Sequence, residues 1–209
     1  MSERISGSGA TLGGVERLAV FNRVRAFIGL RWEMPALLNE ADLEPSARCL
    51  ELGTGLGWGT TGLLRANPSL RVVSTGYESA IIPVARLFIR ENHPHATVSF
   101  ARADAKLLPF PKATFDVVLC LYVLHHAAGY QAALSEIARV TKAGGHLLFI
   151  DLVRSNLLRR LHRKHAPGGL LTRQEWHTLV CESGFTLESW RSGIFLGLLS
   201  RCIVKARRA

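Results

Sequence analysis

This 209-residue chain has little of what holds small exported domains together. Its four cysteines, Cys49, Cys120, Cys181 and Cys202, are scattered singly, with no C-x-x-C pair and no histidine at zinc-ligand spacing. That pattern excludes a disulfide framework or a zinc module and predicts no metal site. It predicts reduced, buried thiols in a cytoplasmic protein. None of these staples is needed, because a single core in a chain of this size buries roughly 70% of the unfolded surface. Residues 1–14 are small and polar without an apolar stretch, so they read as a flexible lead-in rather than a secretion signal. No apolar run approaches the length of a bilayer span. The most apolar late stretch, residues 193–204, is too short and carries Arg201. Internal repeats, low-complexity tracts and signs of a second domain are also absent, so residues 15–209 are expected to form one domain.

Acid is scarce too. Sixteen Asp and Glu face twenty-six Lys and Arg, a net charge of +10. Such a surface attracts anions: nucleic acid, acidic lipid headgroups or a negatively charged small substrate. The excess is concentrated between Arg154 and His165, where Arg159, Arg160, His162, Arg163 and Lys164 stand without a single carboxylate.

The apolar pattern that is present alternates between two periods. Residues 15–41 are apolar every three to four positions (Leu18, Phe21, Val24, Ile28, Trp32), predicting a helical cap over 15–44 that Pro35 divides in two. Strand signals follow at 48–52, 70–76, 97–101, 115–121 and 146–152, with helices predicted over 80–92 and 130–141. Gly144-Gly145 is read as the turn that closes the second of these helices. The continuous run Phe115 to Leu121 has the character of a central strand covered on both faces. Thr172 and Glu175 form a capping-box signature for a helix over 173–183 that Gly184 ends. Two strands around 185–191 and 195–205, joined by a hairpin at Ser192-Gly193, would make the last strand antiparallel. The βαβα rhythm predicts an α/β fold: a Rossmann-like, doubly wound sheet of seven strands, mostly parallel, with helices on both faces.

Glycine-rich turns mark where such a sheet binds ligands. After the first strand stands Glu51-Leu-Gly53-Thr54-Gly55-Leu-Gly57-Trp58-Gly59, in which glycines permit a tight turn and close ligand approach. Gly57-x-Gly59-x-x-Gly62 also fits the dinucleotide fingerprint, with Glu78 about twenty residues on. That alternative requires the first strand to run through Gly53 and Gly55, a poor strand sequence.

Five segments in order settle on one resemblance, spanning about 48 to 152. They are Glu51-Leu-Gly53-Thr-Gly55-Leu-Gly57, Gly76-Tyr-Glu78-Ser79, Arg102-Ala-Asp104-Ala105-Lys-Leu-Leu-Pro109-Phe110, Phe115-Asp116-Val-Val with Leu124-His125-His126, and Arg139-Val-Thr-Lys142-Ala-Gly144-Gly145. Together they resemble the class I S-adenosylmethionine-dependent methyltransferases, in particular the methyltransferase type 11 group. The resemblance implies S-adenosylmethionine as methyl donor and S-adenosylhomocysteine as product. It implies that the glycine loop, with Glu51, Thr54 and Trp58, wraps the methionine part. Glu78, beside Ser79, would grip the ribose hydroxyls, Asp104 and Ala105 would meet the adenine, and Leu121 and Tyr122 would line the end of the fourth strand. Ala143 departs from the family pattern, which has proline there. Trp58 has two readings, a cover for the cofactor or a core side chain.

On the acceptor side, Tyr122, His125 and His126 are the candidates for chemistry, since imidazole is poised near neutral pH. The alternative for the His pair is a role in the fold, one ring packing on the sheet. The N-P-P-Y sequence of enzymes that methylate adenine N6 or glutamine amides is absent. Phe21, Arg31 and Trp32 on the cap and Arg160 and Arg163 in the basic segment 153–171 would form an aromatic lid with a cationic rim. This suits a small or lipid-like, amphiphilic or anionic acceptor, and peripheral attachment to an anionic membrane. RNA is a second class of acceptor, and non-catalytic cofactor binding a third function. Oligomeric state is not specified by these patterns.

Overall fold

A computed structural model describes residues 27–39, 41, 43–127, 129–154, 169–195 and 199–209. Its seven strands form one sheet in the order β3-β2-β1-β4-β5-β7-β6. They are β1 (Arg48–Leu52), β2 (Arg71–Gly76), β3 (Thr97–Arg102), β4 (Phe115–Leu121), β5 (Thr141–Leu152), β6 (Phe185–Phe195) and β7 (Leu199–Arg208). β1 to β5 run parallel, and β7 is antiparallel to both of its neighbours. The strand order reverses between β1 and β4, which in an open sheet marks the crevice where ligands bind.

Side chains along the central strands alternate between two cores, as a pleated strand demands. Leu50, Leu52, Val118, Cys120, Leu147, Phe149, Cys202 and Val204 face one side. There they meet α4 (Tyr130–Val140) and α5 (Arg173–Glu182), with Trp176 fully buried. Cys49, Val117, Leu119, Leu121, Leu148 and Ile150 face the other. That side is covered by α1 (Met34–Leu38), α2 (Trp58–Ala66) and α3 (Ile82–Asn92). Helices therefore cover both faces. Met34 packs so closely on α2 that a Cβ at Gly62 would lie 2.6 Å from its Cγ.

Several boundaries differ from the sequence reading. Pro35 does not divide the cap: it sits at the start of α1, directly after a π-helical turn (Gly29–Glu33), and helical backbone runs through both. β5 starts at Thr141, so Gly144-Gly145 lies within the strand. The pairing jumps from Phe115↔Thr141 to Val117↔His146, and a Cβ at Gly145 would come within 2.7 Å of the Asp116 carbonyl oxygen. The glycines thus form a bulge pressed on β4. The predicted hairpin at Ser192-Gly193 is also displaced. β6 continues through Ser192↔Cys202 and Gly193↔Arg201 to Phe195↔Leu199. Gly193 does not turn the chain; it leaves space for Arg201, whose Nε is 3.2 Å from where a Cβ would be. Cys49, Cys120 and Cys202 are buried as expected, but Cys181, on the outer face of α5, is exposed.

Candidate functional site

The glycine loop leaves β1 with left-handed backbone at Gly53, Gly55 and Gly57 (φ 78°, 44° and 79°), a region that L side chains adopt at a cost of about 1–2 kcal/mol. Beneath it Glu51 is buried and fully engaged. It accepts from Thr60 N–H (3.0 Å), Thr60 Oγ1 (2.7 Å) and Ser74 Oγ (2.5 Å). Ser74 also reaches Thr54 Oγ1 at 2.7 Å, and Thr54 N–H donates to the Thr75 carbonyl. One carboxylate therefore ties the start of α2 and the end of β2 to β1. Burial raises its pKa to about 7 against the opposing pull of the Ser74 and Thr60 hydrogen bonds. Gly59 is required here, because a Cβ would collide with the Glu51 carboxylate.

Glu78 follows β2 and opens a short 3₁₀ turn (Ser79–Ile81); it is half-buried, Ser79 exposed. Asp104 follows β3, half-buried, and its Oδ1 accepts from Lys106 N–H at 2.9 Å. The loop beyond it is clamped by α4. Glu136 accepts from Leu108 N–H (2.8 Å), while Arg139 donates to the carbonyls of Phe110 (2.7 Å) and Leu108 (3.0 Å). Arg139 was singled out only as part of a turn motif. In the structure it holds the Leu-Pro-Phe loop in place.

Trp58, at the start of α2, is half-buried against the core, and its ring lies where a Cβ on Gly29 would be, 2.5 Å away. The cap thus rests directly on the glycine loop's helix. Leu121 is buried at the end of β4. Tyr122 then takes a left-handed conformation (φ 57°), unusual for an aromatic residue. Val123 fills the space beside the Gly53 Cα. The Tyr122 hydroxyl donates to Glu33 Oε1 at 3.0 Å, and Arg201 pairs with the same oxygen.

His125 is buried and points elsewhere. Its Nδ1 is 2.5 Å from Asp151 Oδ1, and its N–H donates to Asp151 Oδ2 at 3.2 Å. A carboxylate only accepts, so the imidazole proton sits on Nδ1. By strand alternation Asp151 shares the face of Leu147 and Phe149, with α4 and α5, whereas Tyr122 packs among the residues facing α1 and α2. His126 is half-buried, its ring centroid 3.9 Å from that of His125.

Of the acceptor-side residues, Phe21, Arg160 and Arg163 lie outside the described residues. Trp32 is 55% exposed and Phe27 62%, meeting edge-to-face at 6.1 Å, with the Arg31 guanidinium 5.9 Å from the Trp32 ring. Sequence reading missed Glu33, Thr60, Ser74 and Asp151. The signal for Glu33 was a lone acid on the apolar face of a helix; for Asp151 it was a carboxylate inside an otherwise apolar central strand. Among the described residues no helix is long and apolar enough to cross a membrane.

Residues 50–149 match the family model described as a methyltransferase domain. The demethylmenaquinone methyltransferase of Thermus thermophilus is 32% identical over 136 residues, 65% of this chain and 60% of that protein. The fatty-acid O-methyltransferase of Mycolicibacterium smegmatis is 35% identical over 112 residues, 54% of this chain and 39% of that protein. The chain thus spans about half the length of these relatives. The structure of the YcgJ protein from Bacillus subtilis superposes with a TM-score of 0.70, covering 84% of this chain and 97% of that one at 18% identity. Sheet order, the acid at the end of each of the first three strands or just beyond it, and the match over residues 50–149 agree in making this part of the chain similar to a methyltransferase domain.

Proposed function

We propose that the protein transfers a methyl group from S-adenosylmethionine to a small or lipid-like acceptor of amphiphilic or anionic character. The observation that carries this reading is the joint placement of the glycine loop, Glu78 and Asp104 at the carboxyl ends of adjacent strands. The donor set fits the cofactor. Gly53, Thr54, Gly55 and Gly57 form a turn free of bulky side chains for the methionine part, with Glu51 holding the turn's shape and Trp58 closing its far side. Glu78, beside Ser79, offers two acceptor oxygens to a diol. Asp104 offers an acceptor to an exocyclic amine, Ala105 a backbone N–H, and Leu121 and Tyr122 the wall at the end of β4. Bound there, the sulfonium supplies an electrophilic methyl carbon, and the chain's task is to align the acceptor and exclude water.

The exposed Phe27–Trp32 pair with Arg31 beside it supports a membrane-facing, amphiphilic acceptor: aromatic rings favour the headgroup boundary and the cation an anionic lipid. The named substrates of the two relatives, a quinone precursor and a fatty acid, support the same class. Phe21, Arg160 and Arg163 would complete this side. His125, engaged with Asp151, is better suited to fixing the turn after β4 than to touching an acceptor, and His126 stacks beside it.

S-adenosylhomocysteine at a hundredfold excess over its Kd is expected to stabilise the protein by about 2.7 kcal/mol in thermal unfolding. Glu78→Ala is expected to lose that gain at the same ligand concentration. A shift with NAD and none with S-adenosylhomocysteine would overturn the reading. Labelled methyl should enter the lipid pool of a cell extract; entry into RNA alone would replace the acceptor class.

A further inference from the structure

β3 is an edge strand, with only β2 beside it among the described strands. Between it and the carboxyl-terminal half of α3 lies a cavity of about 280 Å³. That is near the lower end of the roughly 300–1,000 Å³ of small-molecule pockets, so it admits a compact ligand. The place differs from the crevice at the strand ends. Glu78 and Asp104 lie beyond the carboxyl ends of β2 and β3, whereas this cavity is walled by β3 itself, from Val98 to Phe100. Buried Ile89 stands between it and the glycine loop, since a Cβ at Gly57 would lie 2.8 Å from the Ile89 Cδ1.

The lining is one-sided in charge. Arg86, Arg90 and His93 follow one another at helical spacing along α3 and its cap, and no carboxylate lines the cavity. The Arg86 guanidinium rests over the Phe100 ring, 5.1 Å from its centroid, which holds the cation in place by its face. Among the described residues neither guanidinium has an ion pair or a hydrogen-bond acceptor. Arg90, in the last turn of α3, complements the helix dipole; Arg86, one turn earlier, has no such reason to be there. Like charges four residues apart oppose the helix, so the pair weakens α3 unless an anion lies between them. Burial, with Arg65 nearby, lowers the pKa of His93, so its ring is neutral at pH 7 and the arginines supply the charge.

The geometry points to a binding site for a small phosphomonoester with an apolar body, held by Arg86 and Arg90 together. Above its second pKa of about 6 such a group is a dianion, which matches two guanidinium charges, and its oxygens accept their forked N–H pairs. Ser99 adds a hydroxyl and His93 a neutral ring nitrogen at the rim, while Val98, Pro94 and Phe100 offer the body an apolar wall. A carboxylate or sulfonate would balance one cation and leave the other bare. The site goes beyond the methyl transfer proposed above and does not depend on it.

The test is isothermal titration of the full chain at pH 8 and low salt, with phenyl phosphate as probe. Benzenesulfonate serves as its singly charged counterpart and inorganic phosphate as the same headgroup without a body. Phenyl phosphate should bind once per chain, at least about tenfold tighter than either companion. Arg86→Gln and Arg90→Gln, both at exposed positions and so compatible with the fold, should each weaken it at least about tenfold without lowering the melting temperature. No binding, equal affinity for either companion, or unchanged affinity in the variants would overturn the site. Displacement of the probe by S-adenosylhomocysteine would also overturn it, by placing the probe in the crevice at the strand ends. Vesicles of phosphatidic acid in phosphatidylcholine separate two sources of the same chemistry: binding that phenyl phosphate displaces assigns a lipid headgroup, and no vesicle binding assigns a soluble ester.

Discussion

At the carboxyl ends of β1 and β2 the polar contacts join near neighbours in the chain: Glu51 reaches Thr60 nine residues on and Ser74 twenty-three on. At the carboxyl ends of β4 and β5 they join distant ones, with Tyr122 reaching Glu33 across 89 residues and Arg201 reaching it across 168. Both regions bury a carboxylate among hydroxyl groups or a cation. The first is closed by hydroxyl donors and backbone, so Glu51 is raised towards neutrality. The second is closed by a guanidinium, and its charge is balanced only when all of cap, β4 and β7 are in place. One half is a locally wired cradle; the other is a long-range assembly.

The strongest way to break this contrast is to remove the cation. Arg201→Met leaves Glu33 buried without its cation, and urea unfolding at pH 7 should show a loss of about 3–5 kcal/mol. Adding Glu33→Gln should restore most of it. Equal losses in the single and double variants would show that the two residues do not act as a unit.

Glu51 gives the opposite signature. Its folded pKa of about 7 lies above the ordinary 4.5, so the folded state holds a proton that the unfolded state has released between those values. Its contribution is fully present below pH 4.5 and is lost as pH rises through 7, by about 3 kcal/mol in all. Glu51→Gln should remove that part of the slope from a stability–pH series. An unchanged slope would mean that Glu51 is ionised in the fold.

The smallest effect tests the junction between the halves. Gly53→Ala places a Cβ against Val123 and a side chain on a residue with φ 78°. Val123→Ala should relieve the collision but leave a backbone cost of about 1–2 kcal/mol, readable by thermal unfolding of the double variant.

The two regions also differ in how far the sequence disclosed them. The strand pattern placed Glu51, Glu78 and Asp104 at or just beyond the ends of β1, β2 and β3, so their positions were legible before any coordinates, while their roles toward a cofactor are part of the proposal. β1 to β4 fell within a residue or so of their predicted bounds for the same reason. Nothing in the local pattern pairs Glu33 with Arg201, because neither residue's neighbours carry information about the other. Arg201 was legible only as a charge interrupting an apolar stretch. Gly193 and Gly144-Gly145 were misread as turns for a related reason: a glycine that yields space to a neighbouring strand has the same letter as one that reverses the chain. The His125–Asp151 contact lies between these cases. The histidine stood out, but its partner was hidden in a strand whose other residues are apolar.

The insertion of β7 between β5 and β6 has a kinetic consequence. Five parallel strands can assemble as the chain emerges, each adding beside one already formed. β6 has no neighbour in the sheet until β7 arrives to bridge it to β5, and Arg201 arrives with that same strand. Until then Glu33 lacks the Arg201 cation and meets the sheet through the Tyr122 hydroxyl. The end built from the cap, β4 and β7 is therefore expected to be the last part of the molecule to order during synthesis, and the interval before it does so is when the exposed edge of β5 is most open to mispairing with another nascent chain.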